Sequence, residues 1–479
     1  MRKKLILGLT VLAVVIVLLV AVLLSNSSWI FPREDPVRDL DTGIGYKSIQ
    51  SALDDPKTLD GNIISIANGV YYEHVTISKA VSLIGEDKEN TIIDGEGRGN
   101  VVQVNGSNIE ISNLTIRHAS NSAWAGKGFP ASCISLSEVT NITVQNSILT
   151  SATVCAWTYA SFNVTFRTCL ISNGGTMGII FYSSSGCEAN QNTVHNCGLV
   201  GMHIDGESVN CQLANNEVSD CEEGIDLEKS SQNMLNGNNL SNNNVSFYLY
   251  ECGASNVLRD NNMSAYKNNL LVWGSSLGAF LQDIDTSNTV DGKTVYYLDD
   301  LINTEINTQS TPNAGYLALV NCTNVTVKGI QLLSNRDGFL LAESNNCTLD
   351  NLAIDGNTNA TFGTGLTFFH SNNNTMANSE VSNNSRGVCF YQSNSNLFFR
   401  NSFAGNTKQV ASDFSSPSST TSSALSANIW DNGAEGNYWG DYKTKYPNAA
   451  QVGATGIENT PYIIDSVNVD AHPLATNLP

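Results

Sequence analysis

Between positions 163 and 278 the apolar and polar residues repeat on a unit of about two dozen residues, written five times. The rows begin at Asn163, Cys187, Cys211, Met234 and Val257, and set above one another they align apolar residues in columns. One column holds Ile171, Val194, Val218, Leu240 and Met263. A second holds Ile179, Met202, Ile225, Phe247 and Leu271, and a third Phe181, Ile204, Leu227, Leu249 and Trp273. The last two columns lie two residues apart, the period at which strand side chains alternate between faces. A unit too small to bury its own apolar face must stack on its neighbours, so the pattern predicts a solenoid. The segments are too short and too often broken by Asn and Gly for a helical repeat. The expected architecture is therefore all-β, a parallel β-helix with coils spaced roughly 4.8 Å apart. Asn-rich corners fit it, because Asn tolerates the left-handed backbone of tight corners and stacked Asn side chains can bond as a ladder.

The pattern extends in both directions. Tyr46, Ile49 and Leu53, with Ala52, recur at helical spacing and predict a short helix capping one end of the solenoid. Short alternating strands follow, punctuated by Gly69, Gly85, Gly95 and Gly97. Residues 108–140 read as one oversized coil whose stretch Ser120–Phe129, with Trp124, Gly126 and Gly128, protrudes as a loop. Columns are then expected to run through Ile134/Leu136 and Trp157/Tyr159. Residues 279–323 break the period around a strand-like Thr294–Leu298, and three further coils carry inward columns Phe339/Leu366/Val388 and Leu341/Phe368/Phe390. Ser415–Ser426 is Ser/Thr-rich, and an aromatic C-terminal segment has the apolar surface to close the far end.

Ahead of all this, Leu5–Leu24 is twenty residues without a charge, preceded by a basic MRKK. That length spans a bilayer, and the basic flank places the rest of the chain outside. A cleaved signal peptide is the rival reading, although Leu23–Asn26 is a poor cleavage site. The expected order is a cytoplasmic flank at 1–4, a transmembrane anchor at 5–24, a linker at 25–40, N-terminal coils at 41–278 and the break at 279–323. C-terminal coils follow at 324–410, then a linker at 411–427 and a capping segment at 428–479.

Charge narrows the partners. A formal net charge of −20, with only 14% charged residues, disfavours nucleic acid and anionic membrane surfaces. More than a dozen N-x-S/T sequons, Asn105, Asn141, Asn163 and Asn324 among them, suit a glycosylated cell surface, though Asn-rich corners also generate them by chance. Eleven cysteines show no metal-finger spacing. The repeat stacks Cys187 over Cys211 and Cys197 over Cys221, either as disulfides or as a buried thiol ladder.

Three stretches carry a resemblance. Tyr46–Leu53 through Asn68–Glu73 to Ser82–Glu86 and Ile92–Gly95 is similar to the N-terminal segment of NosD-like right-handed β-helix surface proteins, which have a pectin-lyase-like fold. Asn288–Tyr297 and Gly315–Cys322 resemble the middle of that family, and Asn428–Gly433, Gly436–Asp441 and Thr460–Asp465 its C-terminal signature. The resemblance implies a right-handed helix and leaves activity open. Relatives often carry an Asp/Gly-rich run before the last motif. Here Tyr446–Gly456 has no carboxylate, which argues against a calcium site there. The family also brings in copper delivery, but the six histidines are scattered and Met177, Met202 and Met263 sit in or beside core columns. No catalytic residue, metal ligand or cofactor is assigned.

Chemistry gathers instead on the outward positions between the core columns. One outward column reads Ser135, Thr158, Ile180, His203, Asp226, Tyr248, and the next Ser137, Ala160, Tyr182, Asp205, Glu228, Tyr250. His203, Asp205, Asp226 and Glu228 are therefore expected to form one surface patch flanked by Tyr182, Tyr248 and Tyr250. Carboxylates beside aromatics suit sugar recognition, and a solvated acidic face is the plain alternative. The expected function is a membrane-anchored extracellular surface protein that binds glycans or envelope polymers. A polysaccharide lyase or hydrolase is the alternative, and a copper-site maturation factor comes behind it.

Overall fold

The strand-period columns become stacked parallel strands. The computed structural model describes residues 35–120, 130–333, 337–357, 363–411 and 425–477. Among these, the strands make sheets of twelve, twenty-one, five, five and two strands, parallel from coil to coil, with antiparallel pairs where Val37–Asp39 meets Ile63–Ile66, where Thr289–Val290 meets Lys293–Asp299 and at Tyr462–Ile463. Six strands frame the candidate patch: β1 (Ile148–Tyr159), β2 (Leu170–Tyr182), β3 (Val200–Asp205), β4 (Glu223–Glu228), β5 (Asn239–Tyr250) and β6 (Asn262–Trp273). Ile179, Met202, Ile225 and Phe247 are successive partners, as are Phe181, Ile204, Leu227 and Leu249, and all eight are buried.

Two column assignments need correction. In β6 the core residues are Leu270 and Val272, which pair with Phe247 and Leu249, and not Leu271 and Trp273. Irregularities between Ser241 and Val245 shift the register before the columns resume. In β1 the inward residues are Ala156 and Thr158, while Trp157 and Tyr159 point outward. Trp157 is nonetheless buried, packed on the outer face with Val154 and Ile180 and stacked on Tyr182 at 6.0 Å between ring centroids. A large aromatic in an alternating strand carries no label for its face. Thr158 and Ala160 therefore leave the outward columns, and Trp157 and Tyr159 replace them.

The corners divide two roles between neighbouring residues. Asn215, Gln191, Gly237 and Asp260 take positive φ. The residues after them, Asn192, Asn216, Asn238 and Asn261, are buried and form the ladder. Their side-chain amides bond in series, Asn192 to Asn216 at 3.0 Å, Asn216 to Asn238 at 2.9 Å, Asn238 to Asn261 at 3.0 Å and Asn261 to Asn288 at 2.9 Å. All eleven cysteines are buried and unbridged, so the thiol-ladder alternative is the one seen.

At its N-terminal end the chain forms helix α1 (Ile49–Asp54). The Ser48 hydroxyl accepts from Ser51 N–H, and the Glu73 carboxylate accepts from Ile49 N–H and Gln50 N–H, so amides with no partner inside the helix are satisfied. Ile49, Ala52 and Leu53 face the core. Among the described residues no helix is long and apolar enough to cross a membrane. The anchor expected at 5–24 lies outside the described residues, as do residues 121–129 of the expected loop and residues 412–424 of the Ser/Thr-rich stretch.

Inside the stretch 279–323, where the period breaks, β7 (Lys293–Asp299) and β8 (Ala314–Val320) already stack in parallel, and β9 (Asp337–Ala342), β10 (Thr364–Phe369) and β11 (Arg386–Tyr391) continue the stack. Phe339/Leu366/Val388 and Leu341/Phe368/Phe390 are successive partners, as the sequence pattern predicts. They lie in a second core with Leu317 and Leu319. The opposite face of the same sheet, Tyr316, Ala318, Val320, Leu340, Ala342 and Phe369, belongs to the first core. There Phe369 meets Phe280 at 4.6 Å between ring centroids and Trp273 edge-on at 5.9 Å. A sheet buried on both faces loses its alternation, which is why Ala314–Val320 reads as an unbroken apolar run.

The C-terminal aromatics extend the second core. Phe398 stacks on Trp430 at 4.6 Å, Phe403 on Trp439 at 4.8 Å and Trp439 on Tyr462 at 4.2 Å. Asp470 is fully buried beneath them, accepting from Trp439 Nε1–H at 2.9 Å and from Asn437 N–H at 2.7 Å. Burial outweighs these bonds and pushes its carboxyl up to about 6. The folded chain therefore holds this proton more tightly than the unfolded chain, whose value is 3.8. Its contribution to stability is complete below 3.8 and is lost as pH rises through about 6, a change of at most about 3 kcal/mol. Denaturant unfolding of the parent and Asp470→Asn at pH 4 and pH 7 is expected to show a flatter pH dependence in the variant. Parallel profiles would rule this account out.

Candidate functional site

The patch is built on the outer face of β1–β6 by register alone. His203 and Asp226 are direct partners on β3 and β4, flanked along the stack by Ile180 and Tyr248. Two residues further on, Asp205 pairs with Tyr182, and Glu228 pairs with Tyr250. One more step in the β3–β4 register sets Asp205 beside Glu228. Close packing just before the site fixes these strands. A Cβ on Gly201 would lie 2.5 Å from Val218 Cγ1 and 2.6 Å from Gly224 O, so only glycine fits.

All seven expected residues come together. Tyr182, His203, Asp205, Asp226, Glu228, Tyr248 and Tyr250 share one face. Sequence reasoning missed Trp157 and Tyr159 on the N-terminal side and Trp273 on the C-terminal side, which pairs with Tyr250. Tyr159 stacks on Tyr182 at 6.0 Å, and Tyr248 lies 5.7 Å from Tyr250 between ring centroids. The stripe along the helix axis thus runs aromatic, acidic, aromatic. Strict alternation counted back from Ile180 and Tyr182 would have found Trp157 and Tyr159.

Burial sets the electrostatics. His203 and Asp226 are each only 6% exposed. His203 Nδ1 lies 3.6 Å from Asp226 Oδ2, and Nε2 lies 3.7 Å from Asp205 Oδ2, beyond hydrogen-bond reach. Neither ring nitrogen has a hydrogen-bond partner, and neither does Asp226 Oδ1. Burial lowers the His203 pKa against the pull of Asp205 and Glu228. Burial, then the charges of Glu223, Glu228 and Asp205, raises Asp226 well above the ordinary carboxyl range. Both shifts favour uncharged forms, so the two groups are better described as a neutral contact than as an ion pair. Glu228 reaches the surface, where Lys229 Nζ approaches its Oε1 at 2.5 Å. One ligand atom each from His203, Asp226 and Glu228 lies within 4.8 Å of the others.

Residues 99–270 match the family model described as right handed beta helix region, and residues 280–444 match periplasmic copper-binding protein (NosD). Residues 280–444 do not fit a copper centre. They hold one histidine and one methionine, His370 and Met376. His370 Nδ1 meets Glu343 Oε1 at 2.8 Å, Met376 is buried, and no cluster of three His, Cys, Asp or Glu ligands occurs there among the described residues. A cell surface glycoprotein of Methanothermus fervidus is 31% identical over 127 residues, which is 26% of this chain and 19% of that protein, so the match spans about a fifth of the relative. Among solved structures, the mannuronan C-5 epimerase AlgE4 A-module of Azotobacter vinelandii is 14% identical, covering 82% of this chain and 98% of that one at a TM-score of 0.36. The pectin methylesterase PemA of Erwinia chrysanthemi is 13% identical, covering 44% and 78% at a TM-score of 0.31. Likenesses this low say nothing of activity. The chain is a right-handed β-helix protein, NosD-like over residues 280–444.

Proposed function

We propose that this protein acts outside the cell as a β-helix surface protein, held by a membrane anchor at residues 5–24, and that it binds glycans or envelope polymers along the outer face of β1–β6. The single observation that carries the reading is the order of side chains on that face. Tyr159 and Tyr182 lie on one side of His203, Asp205, Asp226 and Glu228, and Tyr248 and Tyr250 lie on the other. Aromatic faces take the apolar face of a sugar ring while carboxylates accept from its hydroxyls. The coils repeat along the axis, so an extended polymer would meet successive subsites. The likeness to a cell surface glycoprotein and to a periplasmic family supports the extracellular location. In this reading α1 closes the end of the solenoid nearest the membrane.

The test is retention of the protein in gels containing neutral and acidic polysaccharides or extracted envelope polymer. The pair Asp205→Asn with Glu228→Gln, and separately Tyr182→Ala, are expected to weaken binding by about tenfold or more, roughly 1–3 kcal/mol, with unchanged melting. Unchanged retention in both would leave the patch as ordinary surface. Reducing-end and unsaturated-product assays on the same mixtures separate binding from cleavage, and turnover lost with the patch would make it an active site.

A further inference from the structure

We infer that His203, Asp226 and Glu228 form a divalent-cation site of the zinc type on the outer face of β3 and β4, with Asp205 orienting the imidazole. The inference shares its location with the polymer-binding reading and goes beyond it, because it needs no sugar.

The first observation is the donor set itself, three ligand atoms within 4.8 Å of one another. The second is independent of acidity. His203 and Asp226 are more than nine-tenths buried, and both ring nitrogens of His203 and Oδ1 of Asp226 lack hydrogen-bond partners. A solvated acidic face accounts for the exposed Glu228–Lys229 pair. It does not account for a buried imidazole with two unmade hydrogen bonds, since buried polar atoms are otherwise nearly always paired. A cation bound at one ring nitrogen satisfies that nitrogen and draws in the nearby carboxylates together.

The geometry is close to what such an ion requires. Zinc bonds of about 2.0–2.2 Å to nitrogen and oxygen place tetrahedral donors about 3.3–3.6 Å apart. The His203 Nδ1 to Asp226 Oδ2 separation is already 3.6 Å. Asp226 faces one ring nitrogen and Asp205 the other. In this assignment Nδ1, which faces Asp226, takes the ion, and Nε2 keeps the Asp205 carboxylate to receive its N–H, the arrangement that fixes ring orientation at histidine–metal sites. The donors stand on hydrogen-bonded strands, so their spacing is held by the sheet and not by a loop.

Donor chemistry selects the ion class. One imidazole and two carboxylates suit zinc and its first-row neighbours. Calcium wants six to eight oxygens, more than this cluster supplies. No thiol belongs to the group, which removes the soft donors that favour copper(I). With three protein ligands, a fourth position is left for water or a bound group.

The experiment is calorimetric titration of the chelator-stripped full chain with zinc chloride, alongside cobalt(II) as an optical probe. Expected are a zinc site present in the parent and absent from His203→Ala, and affinity lowered about tenfold or more in Glu228→Gln, since even outer-shell changes at metal sites cost that much. Cobalt should give visible bands without the near-ultraviolet charge transfer of thiolate ligands, and calcium should not compete. Should His203→Ala fail to fold, Glu228→Gln carries the test, because that side chain reaches solvent. Failure of the parent to bind zinc, equal affinity in Glu228→Gln, or thiolate bands would each overturn the inference. Zinc uptake without polymer binding sinks the polymer reading and leaves the site standing. Polymer binding without zinc uptake does the reverse.

Discussion

Replacing Leu227 by Asp is expected to destabilise the protein by about 4–6 kcal/mol, the largest effect of any single change considered for the N-terminal core. Leu227 is fully buried, with Ile204 and Leu249 as its partners in the coils before and after. No cation lies among the inward residues of these columns, so the new carboxyl must either ionise unpaired or take up a proton. Holding a proton at pH 7 on a group that ionises near 3.9 costs about 4 kcal/mol. Loss of the Leu side chain from the core adds about 2 kcal/mol. The neighbouring Glu228→Gln, one residue on and facing outward, is expected to change stability by less than about 0.5 kcal/mol. The two variants therefore test the alternation of faces directly. Thermal melting by circular dichroism, with limited proteolysis to locate the opened coils, reads both. A Leu227→Asp protein that melts like its parent would mean that Leu227 does not face the core.

That column was legible because its inward positions carry apolar side chains from coil to coil, and β3 and β4 are both six residues long, which keeps His203 in phase with Asp226. The same rule failed where its assumption failed. Trp157 and Tyr159 are large and outward, and an irregularity before Val245 moved the core from Leu271 to Leu270. The two-core arrangement was not legible either. The sheet from β7 to β11 is apolar on both faces because one face fills the second core and the other lies against Trp273 and Phe280. A run such as Ala314–Val320 announces burial without saying against what. For the patch, alternation gave the residues and their side of the sheet. It did not give the burial of His203 and Asp226, which comes from Ile180 and Tyr248 stacked before and after them.

Asn238→Ala is the second large effect, expected to cost about 4 kcal/mol although it removes only a small polar group. Asn238 is buried and makes four side-chain bonds. Its Nδ2 donates to Leu213 O at 2.8 Å and to Asn261 Oδ1 at 3.0 Å, while its Oδ1 accepts from the backbone N–H of Asn216 at 3.1 Å and from Asn216 Nδ2 at 2.9 Å. Alanine leaves Asn216 N–H, one Asn216 amide hydrogen and the Leu213 carbonyl with these bonds unmade inside the coil. Each such orphan costs about 1–3 kcal/mol, and none can be re-solvated without opening the stack. Asn215 provides the contrast. It sits beside the ladder residue Asn216, is exposed and has φ 54°, so its work is to turn the corner. Asn215→Ala is expected to cost about 1 kcal/mol through left-handed strain, and Asn215→Gly close to nothing. Chemical denaturation of the three variants separates the roles. A cost for Asn238→Ala no greater than that for Asn215→Ala would show that the ladder merely accompanies the stacking of coils and does not hold them together.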